Sequence, residues 1–297
     1  MDTPLTFLEL PNSTLDEAEV AVIRAPFEGT VSYGKGTSAA PDAILRASWH
    51  LESFDEELDF EHEGSVRYCV LPAIVADANE RVEAYLNRLT RVCAGYGLAP
   101  PFYLGLGGEH SVTSALLKGI LKQPSDVTVV QIDAHADLRE EYQGSRFNHA
   151  CAMRRVLELG VKRLVAIGIR SAEKGEYELA REDPRIETFY DHELARAERF
   201  EELLETLREL SGPVHLTIDA DGLECSLCPG TGTPQPGGLS WEKTLSVLRA
   251  LIVEGKGELL GADLCETVPQ PTTRVNEQTA AKLAFKIVGY RFAPRGD

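Results

Sequence analysis

The chain has 297 residues, 43% of them hydrophobic, enough to bury a large core, and a formal net charge of −17. That charge repels phosphate backbones and excludes nucleic acid as an expected partner, while favouring cationic ligands and divalent metals. No run approaches ~18 apolar residues, so no membrane span is expected, and Met1–Leu10 lacks the basic start and apolar stretch of a secretory signal.

In chain order, short β-rich runs alternate with longer helical patterns. The strands predicted are Glu19–Arg24, Val66–Leu71, Phe102–Leu106, Val127–Ile132, Arg163–Ile169, Ile186–Tyr190, Val214–Ile218 and Glu258–Ala262. Several are apolar on both faces, as in Val127-Thr128-Val129-Val130, the pattern of a parallel sheet covered by helices on both sides. Helices are predicted over Pro41–Glu52, Asn79–Ala94, Ser111–Lys122, His149–Leu159, Phe200–Leu210, Trp241–Glu254 and Gln278–Val288. Pro41 suits a first helical turn, where a missing N–H costs little. No repeat or linker divides the chain, so the expectation is one three-layer αβα domain over 1–297, with a mainly parallel eight-stranded sheet and residues 1–17 as an N-terminal arm.

Polar residues cluster where predicted strands end. Ile132 runs directly into Asp133-Ala134-His135-Ala136-Asp137, and Ile218 into Asp219-Ala220-Asp221. In an extended chain alternate residues point the same way, so these side chains converge, spaced by small alanines. Leu106 runs into Gly107-Gly108-Glu109-His110-Ser111. Ligands of open parallel sheets bind beyond the carboxyl ends of the strands. Four carboxylates and two imidazoles gathered there would repel or stay undersolvated without cations, and two divalent ions balance four negative charges. Carboxylates with imidazoles suit Mn²⁺, with Zn²⁺, Fe²⁺ or Co²⁺ as alternatives.

Two other motifs lead away from this chemistry. Gly29-Thr30-Val31-Ser32-Tyr33-Gly34-Lys35 nearly spells a phosphate loop, but Gly36 stands where Ser or Thr must follow the lysine. The six cysteines are scattered, as in a reducing cytoplasm, and Cys225-x-x-Cys228 lacks the second pair a structural zinc site needs.

From about Ala18 to Tyr290 these motifs resemble the ureohydrolase family of arginases and agmatinases, whose fold is the arginase/deacetylase-like αβα sandwich. Gly107–Ser111, Asp133–Asp137 and Thr217–Leu223, continuing through Pro229-Gly230-Thr231-Gly232 to Gly237-Gly238-Leu239, look like its three metal motifs. The resemblance implies two Mn²⁺ per subunit, one bound by His110, Asp133, Asp137 and Asp219, the other by Asp133, His135, Asp219 and Asp221. Asp133 and Asp219 would bridge. It implies that His149 is the active-site histidine and that Glu266 holds the guanidinium group. A hydroxide shared by the two ions would attack the guanidinium carbon, with Asp137 as the leading proton shuttle and His149 as the second. Thr217 replaces the usual serine, Glu224-Cys225 stands where Asp-Pro is usual, and Pro269–Gln278 lacks an often-present aspartate.

The tail of the substrate rests on two positions. Where arginases resemble one another in an Asn after the second motif, this chain has Arg139, and Phe147 stands where their second Asn is expected. Phe147 suits an amine tail without a carboxylate, as in agmatine, which would yield putrescine and urea. Arg139, if it faces the tail, would favour 4-guanidinobutanoate; N1-aminopropylagmatine and arginine are the remaining guanidines. A cytoplasmic trimer or hexamer is the family's usual form. A non-catalytic regulator on this fold predicts lost ligands, yet all six are present. A deacetylase of related fold would use one zinc and a tyrosine or paired histidines, which the sequence does not place.

Overall fold

A computed structural model describes residues 5–97, 101–121 and 123–294. In chain order it contains β1 (Val20–Ala25), α1 (Ala40–Ser48), β2 (Phe54–Asp55), β3 (Phe60–Glu61), β4 (Tyr68–Val70), α2 (Val82–Tyr96), β5 (Phe102–Gly107) and α3 (Val112–Ile120). There follow β6 (Thr128–Ile132), α4 (Ala152–Glu158), β7 (Arg163–Ile169), α5 (Lys174–Glu182), β8 (Ile186–Tyr190), α6 (Asp191–Leu194), α7 (Ala197–Glu209), β9 (Gly212–Asp219), α8 (Trp241–Ile252), β10 (Gly257–Cys265) and α9 (Val275–Phe292).

Eight strands form one sheet in the order β4-β1-β5-β10-β9-β6-β7-β8, and every neighbouring pair is parallel. Helices α2, α3 and α4 pack in one row, and α1, α9, α8 and α7 in another. Strand residues alternate between the two layers. Val20 and Val22 join the core under α1 and α9, whereas Ala21 and Ile23 join the one under α2 and α3. Val130 and Val129 divide in the same way. This double burial is why the strands read as continuous apolar runs. All eight predicted strands are present, Arg163–Ile169 and Ile186–Tyr190 with the same bounds and the other six with shifted ends. The predicted third helix reached Lys122, which lies outside the described residues.

Three elements escaped the sequence reading. Helix α5 buries only Glu176 among its nine residues, so it carries no apolar period. A reciprocal capping box starts it instead: the Glu173 side chain accepts from the backbone at Glu176, and the Glu176 side chain accepts from the Glu173 N–H. The β2–β3 hairpin has two-residue strands, too short to show alternation. Helix α6 is a single turn of four residues. From the N-terminal arm, Phe7 and Leu8 are buried in the core, and the Leu8 N–H donates to the Ser48 hydroxyl.

The hairpin is held by a buried ion cluster. Lys286 on α9 is almost fully buried and donates to Asp55 at 2.7 and 2.9 Å and to Glu57 at 2.8 Å. Tyr290 and Arg249 also donate to Glu57. Although burial opposes it, donation from Lys286, Arg249 and Tyr290 pulls the Glu57 pKa down to about 2. A depressed carboxylate pKa stabilises the fold above its unfolded value and loses that contribution as pH falls through the folded value. Lys286→Met, which leaves Asp55 buried without its partner, is expected to cost roughly 3 kcal/mol in urea unfolding at pH 7. The stability gap between the native chain and Glu57→Gln should be complete above pH 4.5 and close towards pH 2; a gap that widens on acidification contradicts this cluster.

Candidate metal centre

Four adjacent strands, β5, β10, β9 and β6, end at one edge of the sheet, with Leu106 beside Leu264, Asp219 beside Cys265 and Ile132 beside Ile218. His110, Glu266, Asp219 and Asp133 lie at or just past these ends and so share one space. Two glycines permit the approach. A Cβ on Gly108 would lie 2.0 Å from the Phe27 carbonyl oxygen, and one on Gly222 would lie 2.6 Å from the Asp133 nitrogen. Asp137 and Glu266 have φ of 53° and 60°, left-handed values that cost a residue with a Cβ about 1 kcal/mol or more and cluster at functional sites.

The six residues singled out from the strand ends converge. His110 Nδ1 lies 3.1 Å from Asp133 Oδ2, 3.0 Å from Asp137 Oδ2 and 3.5 Å from Asp219 Oδ2. His135 Nδ1 lies 3.0 Å from Asp221 Oδ2 and 3.8 Å from Asp133 Oδ1. Two overlapping groups are close enough to hold a metal ion each: His110, Asp133 and Asp219, and Asp133, His135 and Asp221. Asp133 belongs to both.

Electrostatics shows what the cluster requires. Burial, then repulsion from Asp137, lifts the Asp133 pKa to about 7. Burial and the charges of Asp221 and Asp133 lift Asp219 well above its ordinary value. Burial favours neutral imidazoles, yet Asp133 and Asp137 outweigh it at His110, and Asp221 raises His135 to about 9. Asp133 and Asp219, driven to keep protons, and the two imidazoles, driven to gain them, both register excess negative charge. Divalent cations in the two groups remove that excess, so the donor set fits metal.

Behind His110 a buried network fixes its orientation. His110 Nε2 is 2.9 Å from the Thr217 hydroxyl, which donates to Asp263 Oδ1 at 2.8 Å. Thr217 therefore accepts the Nε2 proton, which leaves Nδ1 as the nitrogen that faces the carboxylates. Thr113 donates to the same Asp263 oxygen, and His215 Nε2 lies 2.6 Å from the other. Asp263 was missed in the sequence; its signal is a carboxylate set among Gly261, Ala262, Leu264 and Cys265 in the strand that leads to Glu266.

A cleft of about 220 Å³ opens above the cluster, lined by His135, Asp137, Asp219 and His149 and, further out, by Arg139, Tyr142, Glu173 and Glu176. His149 Nδ1 is 3.5 Å from Glu266 Oε1, and its Nε2 is buried without a partner. Burial lowers a histidine pKa, but the Glu266 contact raises this one to about 9. Glu266 Oε1 accepts the His110 N–H at 2.7 Å, and Oε2 lies over Gly232. Arg139 Nη1 pairs with Glu173 at 2.8 Å, its Nε is 3.7 Å from Glu176, and it lies over the Tyr142 ring. Phe147 is not brought to the cleft. It packs partly buried against the α2–α3 side of the core and lines a separate groove with Leu86 and Thr90. Glu173 and Glu176 went unnoticed because α5 did. Cys225 is exposed and Cys228 buried, and neither joins a metal-holding group among the described residues.

This arrangement sets two groups able to hold metal ions at the carboxyl edge of a parallel sheet, beneath a cleft that admits a small molecule. Residues 18–290 match the arginase family, and the chain belongs to that family. It is 39% identical to an N(1)-aminopropylagmatine ureohydrolase of Synechocystis sp., over 97% of this chain and 94% of that protein. It is 34% identical to an agmatinase of Pyrococcus horikoshii, over 95% of each. The agmatine ureohydrolase structure of Thermoplasma volcanium superposes with a TM-score of 0.79 at 28% identity, covering 94% of this chain and 92% of that one. The protein is thus an arginase-family ureohydrolase, acting on guanidino C–N bonds, and the family is a binuclear manganese family. Among the described residues no helix is long and apolar enough to cross a membrane.

Adding Mn²⁺ to chelator-treated protein should raise Tm by roughly 5–10 °C, as expected for a ligand far above its Kd. Asp133→Asn, which alters the residue shared by both groups, should remove most of that rise in differential scanning fluorimetry. An unchanged Tm on adding Mn²⁺ to the native sequence contradicts metal binding here.

Proposed function

We propose that the protein is a manganese-dependent ureohydrolase of guanidines with an amine tail, converting agmatine to putrescine and urea. The observation that carries this reading is the acidic outer wall of the cleft, where Glu173 and Glu176 stand beyond the His–Asp cluster. The half-exposed Glu173 carboxylate suits an ammonium that shares it with Arg139, while the buried Glu176, held by the Leu138 and Glu173 N–H groups, adds negative charge behind it. Arg139 is engaged with Glu173 rather than free to receive a substrate carboxylate. The amine preference first drawn from Phe147 therefore rests on different residues.

Two manganese ions, when bound, supply a water of near-neutral pKa and stabilise developing negative charge. His110, Asp133, Asp137 and Asp219 would hold one ion, and Asp133, His135, Asp219 and Asp221 the other. The remaining steps belong to side chains. Glu266 Oε2 orients the guanidinium, a charge-assisted contact that fixes its carbon at the cluster. His149, kept protonated by Glu266, gives its proton to the departing amine, and Asp137 relays the proton from water. Urea and the free amine then leave through the acidic mouth.

A second reading, N1-aminopropylagmatine as substrate, is favoured by the Synechocystis relative and by the half-exposed Glu173 carboxylate at the mouth, where a further ammonium would bind. Either substrate places the protein in polyamine formation. Six unpaired cysteines suit a reducing cytoplasm, and a homo-oligomer of three or six subunits accords with the resemblance.

Urea release by the manganese-loaded protein tests the reading. Agmatine and N1-aminopropylagmatine should exceed arginine and 4-guanidinobutanoate by about 100-fold in kcat/KM, the discrimination expected when a charged group loses its partner. Glu173→Gln should raise KM for the amine-tailed substrates about tenfold with kcat little changed. Preference for 4-guanidinobutanoate would overturn the amine assignment, and no urea from any of the four would overturn the function.

A further inference from the structure

The loop that nearly spells a phosphate site binds an anion of the protein itself. The backbone N–H groups of Gly29 and Thr30 both donate to Glu109 Oε2, at 2.7 and 2.6 Å. The hydroxyls of Thr30 and Ser111 donate to Glu109 Oε1, at 2.6 and 2.7 Å. Glu109 is fully buried, directly precedes His110, and belongs to neither metal-holding group. Its carboxylate is committed to four donors, three of them on the loop and the fourth on Ser111. A buried carboxylate satisfied this completely costs heavily to misplace, so the loop is locked to it.

Thr30 passes this order on. A hydroxyl has one proton, and that of Thr30 goes to Glu109. Its lone pair is then aimed outward and accepts the His149 backbone N–H at 2.9 Å. The Thr30 carbonyl accepts from the Asn148 side chain at 3.2 Å, and Asn148 Oδ1 caps the turn that carries His149 by accepting from Ala150. Two bonds from one residue thus set the backbone on which the His149 ring stands, across 119 positions of sequence. Without Glu109 to take its proton, the Thr30 hydroxyl is free to turn away.

We propose that Thr30 and Glu109 are positioning residues for the ureohydrolase reaction, with Glu109 orienting the Thr30 hydroxyl so that it fixes His149 at the mouth of the metal centre. The inference rests on the role given to His149 under the proposed function. It extends that role to residues that touch neither substrate nor metal.

The test uses full-length manganese-loaded protein carrying Thr30→Val, Thr30→Ser or Glu109→Gln, with Thr30→Val also placed in a His149→Ala background. Thr30→Val should lower kcat about 10- to 100-fold, with KM within about threefold and manganese content unchanged. Thr30→Ser, which keeps the hydroxyl, should restore activity to within about threefold of the native protein. In the His149→Ala background Thr30→Val should cost less than about twofold more, because its route of action is gone. Hydrogen exchange followed by mass spectrometry gives a readout independent of activity. The peptide spanning residues 144–152 should exchange about tenfold faster in Thr30→Val and at the native rate in Thr30→Ser. Glu109→Gln should follow Thr30→Val in both assays; if it does not fold, the Thr30 pair still decides. Full additivity with His149→Ala, or native exchange over 144–152 in Thr30→Val, overturns the inference. A native protein that releases no urea overturns the proposed function instead, and the exchange comparison still reports whether Thr30 holds His149.

Discussion

Four carboxylates and two imidazoles are confined at the end of a parallel sheet, and most of what surrounds them follows from that crowding. Asp133, Asp137, Asp219 and Asp221 are all buried, and His110 is completely enclosed. Such a group is costly unless positive charge enters it. The shifted pKa values express the same demand, with Asp133 driven up to about 7 and His135 to about 9. The sheet makes the crowding unavoidable, because four neighbouring strands end in register and each delivers its polar residue to the same edge.

The supporting structure resists this repulsion with fixed dipoles and counter-charges. Asp263 orders His110 through Thr217 from inside the sheet. The Asp221 backbone is held from the other side by Arg170, whose guanidinium donates to the Asp221 carbonyl and to the Gln235 and Pro236 carbonyls of the following loop. Thr233 on that loop donates to the Asp221 side chain. Glu109 clamps the N-terminal loop, whose Gly34 N–H meets Gly232 across the site. Loops distant in sequence are thus tied to the metal strands by buried polar contacts, which explains how irregular backbone can hold a rigid site.

Much of this was legible in the sequence, for definite reasons. Val127–Ile132 reads as a doubly buried strand because helices cover both its faces, and Asp133-Ala134-His135-Ala136-Asp137 reads as a ligand run because the period of a strand continues into it. Relations across the sheet were not legible. Glu109 beside His110 looks like one more acidic residue, and only the folded chain shows Thr30 bonded to it. Helix α5 has no apolar stripe, so Glu173 and Glu176 at the cleft wall were passed over. Phe147 illustrates the converse. Its place where the arginases' second Asn is expected suggested a cleft residue, yet just ahead of the turn at Asn148 it packs against the α2–α3 side of the core.

The central claim is that the strand-end cluster exists to hold two ions sharing Asp133. Crystals grown with manganese and measured for anomalous scattering at the manganese edge test it most directly. The account predicts two peaks per chain, one among His110, Asp133 and Asp219 and one among Asp133, His135 and Asp221. A single peak, or peaks away from Asp133, would contradict it.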